Sequence, residues 1–116
     1  MFKDDALKKV EGGGEFSFIN LLGELPVSQI PGTPFDIIHI KINDKQLSLE
    51  EMEQIEITIG EKKVKFGEIK DLGVLPANEL IKFFMPGSEY NVGEELKIEV
   101  TIDLINMSFS ITQVVV

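Results

Sequence analysis

The sequence predicts an all-β fold: an antiparallel two-sheet β-sandwich, Ig-like, of about seven strands with a short N-terminal arm or helix. Three observations carry this expectation. Apolar and polar residues alternate with period two in several segments. The longest such run has Leu96, Ile98, Val100, Ile102 and Leu104 on one side, with Lys97, Glu99, Thr101 and Asp103 between them. Turn residues separate the segments at spacings of roughly 10–15 residues. No alternation of strand and helix of the kind a parallel sheet needs is visible. A small barrel is the alternative closure.

The length of 116 residues fits one domain. The expected division is an arm with a glycine linker over 1–14 and a single sandwich domain over 15–116. Phe2, Ala6, Leu7 and Val10 fall near helical spacing, so the start reads as a short helix or loose arm. Gly12-Gly13-Gly14 then reads as a flexible break. From Glu15 to Asn20, Phe16 and Phe18 share one side of a strand. Leu21 to Pro34 holds three prolines and two glycines and reads as a loop or irregular edge. It also carries Leu21, Leu22, Leu25, Val27 and Ile30. A loop this apolar must cover either its own core or a partner.

Phe35 to Ile42 reads as a central strand, apolar on both faces. Asn43-Asp44-Lys45 turns the chain, and Ser48 with Glu51 matches a capping box for one helical turn over Leu49 to Gln54. Ile55, Ile57 and Ile59 alternate with Glu56 and Thr58. A turn at Gly60-Glu61-Lys62 then leads into Lys63 to Phe66, which makes a hairpin. Gly67 to Gly73 is a connection. Residues 78–85 admit helix or strand, and the alternation of Ile81, Phe83 and Met85 favours strand. After the long run from Glu95, the alternation slips by one residue at Leu104-Ile105, which demands a turn or bulge between Asp103 and Asn106. Ile105, Met107, Phe109 and Ile111 line the last strand, and Val114-Val115-Val116 implies pairing at its end.

Composition narrows the chemistry. With no cysteine, the chain has no disulfide, thiolate metal site or cysteine nucleophile. All 11 basic residues are lysine, and the formal net charge is −9. An acidic chain without the bidentate fork of arginine is a poor nucleic-acid binder, so no nucleic-acid partner is expected. No apolar run reaches the roughly 18–20 residues of a membrane span, and the charged start carries no signal core, so a soluble cytoplasmic or virion protein is expected.

The single histidine, His39, has no second histidine for a metal site, and Asp36 falls on the opposite side of the expected strand. The carboxylates at Glu50, Glu51, Glu53 and Glu56, and at Glu94, Glu95 and Glu99, read as solvated faces. Phosphate-binding glycine patterns, calcium loops and the nucleophile elbow do not occur. No enzyme activity, cofactor or metal is expected. The expected function is that of a non-enzymatic structural or assembly subunit working through protein contacts, as a homo-oligomer or within a virion, tail, capsid-decoration or cell-surface assembly. The expected contact residues are Phe2, Leu7, Leu21, Leu22, Leu25, Val27 and Ile30. The alternative is an acidic regulatory or inhibitor protein steered to a basic surface. A third reading is a small enzyme or carrier holding an apolar ligand between the sheets.

Overall fold

The computed structural model describes residues 5–21, 23–29, 31–87, 90–103 and 106–116, with backbone only for Met107. Among these residues, nine strands form two antiparallel sheets. Strands β1 (Leu7–Val10), β2 (Gly13–Ile19), β5 (Glu56–Ile59), β6 (Lys62–Lys65) and β7 (Leu80–Pro86) build one sheet in the order β1-β2-β7-β5-β6. Strands β3 (Ile38–Ile42), β4 (Lys45–Gln46), β8 (Glu95–Ile102) and β9 (Met107–Val114) build the other in the order β4-β3-β8-β9. The fold is therefore the expected all-β two-sheet sandwich.

The period-two pattern sorts side chains between water and core. Phe16 and Phe18 on β2, Ile57 and Ile59 on β5, and Ile81, Phe83 and Met85 on β7 are buried from one sheet. Ile38 and Ile40 on β3, Leu96, Ile98 and Val100 on β8, and Ile111 on β9 are buried from the other. Phe16 and Phe83 pair within one sheet at 4.8 Å between ring centroids, and Phe18 joins the layers by lying 5.1 Å from Phe109 of the other sheet. Offset and tilted pairs of this kind add about 0.5–1.5 kcal/mol each beyond their area burial.

Local chemistry sets the turns. Asn43 and Asp44 both adopt positive φ in the two-residue β3–β4 hairpin, where Ile42 faces Lys45. Gly60, at φ +59°, starts the two-residue β5–β6 turn. The β8–β9 ladder pairs Ile102 with Met107 and runs unbroken to Glu95 with Val114. That register sets even positions of β8 opposite odd positions of β9, so the slip in alternation is a hairpin turn. Leu104 and Ile105 themselves lie outside the described residues.

Three expectations change. The helix or arm expected at the start is strand β1 from Leu7, in hairpin with β2. Four residues are too few for periodicity to separate helix from strand. Gly12-Gly13-Gly14 is a tightly packed hairpin rather than a flexible break. A Cβ on Gly13 would stand 2.2 Å from the Met85 carbonyl oxygen, and one on Gly14 would stand 2.3 Å from the Tyr90 ring. Finally, the strand expected from Phe35 begins as a single helical turn, α1 (Pro34–Ile37), with Pro34 in its first turn. The turn sends Phe35 onto Phe66 at 5.4 Å and buries Ile37, so both faces look apolar in sequence. The capping box holds as expected on α2 (Leu49–Gln54). The Glu51 backbone N–H donates to Ser48 Oγ, and the Ser48 N–H donates to Glu51 Oε1.

Val116 ties the end of β9 to β1. The Val116 N–H donates to the Leu7 carbonyl, and the Lys9 N–H donates to the Val116 carbonyl. The end of the chain thus joins β9 to β1, as the terminal valines imply.

Candidate interaction surface

The apolar segment after β2 folds back on this chain's own core. Asn20 is fully buried and is the anchor. Its side-chain amide donates to the Gly23 and Pro76 carbonyls at 2.9 and 3.0 Å. Its backbone bonds Glu79 and Asn78. Leu25 and Leu75 exchange both backbone hydrogen bonds, and the Ser28 N–H donates to the Gly73 carbonyl. A 3₁₀ turn over Val27–Gln29 then packs against the 3₁₀ segment Phe66–Leu72.

These anchors redistribute the expected contact residues. Val27 is buried and Leu25 is partly buried, and both pack against the interior of this domain. Leu7, expected on a docking arm, is completely buried in β1, paired with Phe16 of β2. Leu21 is 57% exposed and is the one residue of the set that faces water among the described residues. Phe2, Leu22 and Ile30 lie outside the described residues. Asn20 carried no signal in the sequence, because a strand-end asparagine looks the same whether it faces solvent or the Gly23 and Pro76 carbonyls.

His39 has a partner that spacing did not reveal. Its Nε2 lies 3.0 Å from the Asp103 carboxylate. His39 faces Thr101 in the β3–β8 register, and Asp103 follows two residues later on the same side. Both side chains are open to solvent, which makes this a surface pair of modest strength. The acidic side chains behave similarly. Glu56 is held below the usual carboxylate range by the Lys63 ammonium at 3.0 Å, with Lys65 beside it. The Glu51 carboxyl is lowered chiefly by the Ser48 backbone N–H. Lys97, bonded to Glu99 and near Asp44, is raised. An open groove between α2 and the Pro86-Gly87 turn is lined by Leu47, Glu50, Glu51, Gln54 and Met85. No group of three or more histidine, aspartate or glutamate side chains that could hold a metal ion comes together among the described residues. Among them, too, no helix is long and apolar enough to cross a membrane.

The edges of the two sheets differ in a way that matters for contacts. An edge strand offers unpaired backbone groups to any passing strand, and charged side chains or short length block that pairing. Strand β6 carries Lys62, Lys63 and Lys65, all exposed. Strand β4 is only two residues long and includes Lys45. Strand β1 carries Lys8 and Lys9 and is joined to Val116. Strand β9 runs eight residues, Met107-Ser108-Phe109-Ser110-Ile111-Thr112-Gln113-Val114, without a charge or a proline. Exposed apolar side chains gather near its end, with Val114 and Val116 each 48% and Val92 68% exposed. Val92 precedes Gly93, whose N–H donates to the Val115 carbonyl.

No protein-family model matches the chain. No curated protein matches its sequence.

Proposed function

We propose that this chain is a non-enzymatic structural or assembly subunit that acts through protein–protein contacts, as in a virion, tail, capsid-decoration or cell-surface assembly. The observation that carries the reading is strand β9, a long, charge-free edge flanked by exposed valines in an otherwise heavily charged chain. A soluble domain that stays alone blocks such an edge, and the β1, β4 and β6 edges of this sandwich are each shortened or studded with lysine. The contact surface is then a strand edge rather than the Leu21 to Pro34 loop. The test is the native mass of the chain recovered from its own source. It should travel in a species several times heavier than its 13.0 kDa. Recovery solely as a free monomer contradicts the reading.

One observation favours the acidic regulator as a second reading. Helix α2 presents Glu50 and Glu53 to solvent beside the groove, in a chain of net charge −9. Binding by that route weakens steeply with salt, whereas strand pairing does not.

A further inference from the structure

Resting on the assembly reading, we infer that β9 pairs antiparallel with β9 of a second copy of this chain, merging the two four-stranded sheets into one of eight strands. The backbone geometry defines the surface. The Val115 N–H donates to the Glu94 carbonyl, so Val115 faces β8. Antiparallel ladders alternate the direction of their hydrogen bonds residue by residue. Gln113, Ile111 and Phe109 therefore also bond toward β8, and Ser108, Ser110, Thr112 and Val114 point their N–H and C=O groups away from it. Two further contacts agree. The Val116 groups face outward onto β1. Lys97, the partner of Thr112, turns its backbone toward Asn43 on the far side. Among the described residues, those of Ser108, Ser110, Thr112 and Val114 meet no backbone partner.

Charge selects the occupant. Two copies carrying −9 each repel over most of their surface, and pairing β6 with itself would set lysine against lysine. At β9 no ionisable side chain stands in the strip, so like copies meet there without that penalty. A basic partner would instead seek the carboxylates of α2. The strip is also self-complementary. With Ser110 on the two-fold axis, Ser110 faces Ser110 of the second copy and Ser108 faces its Thr112, which keeps the second strand clear of β1 at Val116. Each chain then contributes three N–H donors and three acceptors, from Ser108, Ser110 and Thr112. The side chains on the exposed face are small (serine and threonine), and such cross-strand pairs are favourable.

The test is light scattering and sedimentation of the intact chain from about 1 µM to about 1 mM, a range that spans weak to moderate affinity. The chain should shift from 13.0 kDa toward twice that mass with concentration. Ser110→Lys should weaken the association at least about tenfold by placing lysines near each other across the two-fold. Thr112→Pro removes one outward N–H and should act likewise. Circular dichroism and thermal melting of the Ser110→Lys monomer should match the wild type. A wild-type chain that stays monomeric throughout, or a dimer untouched by both substitutions, overturns the pairing. So does dimerisation that appears only once residues 1–4 are removed. If the chain is monomeric alone yet Ser110→Lys ejects it from its native assembly, the self-pairing falls and the assembly reading stands.

Discussion

Tyr90 offers the most informative single substitution, because its ring is part of the core and its hydroxyl is not satisfied. The residue is 2% exposed, and its hydroxyl meets no hydrogen-bond partner among the described residues. A buried hydroxyl without a partner costs about 1–3 kcal/mol relative to one left in water. Tyr90→Phe keeps the ring against Gly14 and removes that cost, less a small loss of packing where the oxygen stood. The expected result is stabilisation by about 0.5–2 kcal/mol, which for a chain of this size raises Tm by roughly 2–8 °C. A pH signature accompanies it. Burial raises the Tyr90 pKa above its ordinary value of 10.0. Below pH 10 the folded and unfolded chains both hold the proton, and stability is complete. Above it, the unfolded chain gains by ionising while the folded chain resists, so stability falls as pH rises. Tyr90 is the only tyrosine, so phenolate absorbance reports it alone. In urea melts from pH 8 to pH 11, the wild type should lose more stability than Tyr90→Phe, with phenolate appearing on unfolding. Destabilisation of Tyr90→Phe by 1 kcal/mol or more, about one hydrogen bond's worth, would refute the reasoning, as would a tyrosine that titrates normally in the folded chain.

Three further outcomes are expected. Gly14→Ala drives a Cβ to within 2.3 Å of the Tyr90 ring, and should cost about 1–3 kcal/mol in denaturant melts; a change under about 0.5 kcal/mol would show that the ring is not seated there. Asn20→Ala leaves the Gly23 and Pro76 carbonyls without their donor and should cost about 1–3 kcal/mol, read as an earlier urea midpoint, with loosened hydrogen exchange in residues 21–29. Val27→Asp buries a charge where the side chain is 4% exposed and should leave the chain unfolded or destabilised by about 3 kcal/mol or more, while Leu21→Asp, at 57% exposure, should melt within about 0.5 kcal/mol of wild type. Equal effects of the last two would mean that the loop is not layered as described.

The strands were legible where alternation ran for five or more residues, as over Leu96 to Ile102, because a sheet with one buried face imposes period two directly. The capping box at Ser48 and Glu51 was legible for a similar reason: both partners lie within three residues. Leu7 to Val10 was not, since its strand character comes from pairing with β2 and Val116, contacts that no local pattern encodes. The Leu21 to Pro34 loop shows the same limit. Its apolar content required something to cover, but only the fold shows Val27 and Leu25 turned inward. The β9 edge was hidden for a subtler reason. Its lack of charge is visible in the sequence, but that it lies at an edge depends on the order β4-β3-β8-β9.

Residue-resolved amide hydrogen exchange, recorded at low and high protein concentration, tests the β9 edge most directly. In the dilute chain the amides of Phe109, Ile111 and Gln113 should be protected, and those of Ser108, Ser110, Thr112 and Val114 should exchange fast. On concentration the amides of Ser108, Ser110 and Thr112 should slow while the first set stays as it was. Protection of the even-numbered amides already complete in the dilute monomer, or unchanged exposure in the concentrated sample, would contradict an edge built to receive another strand.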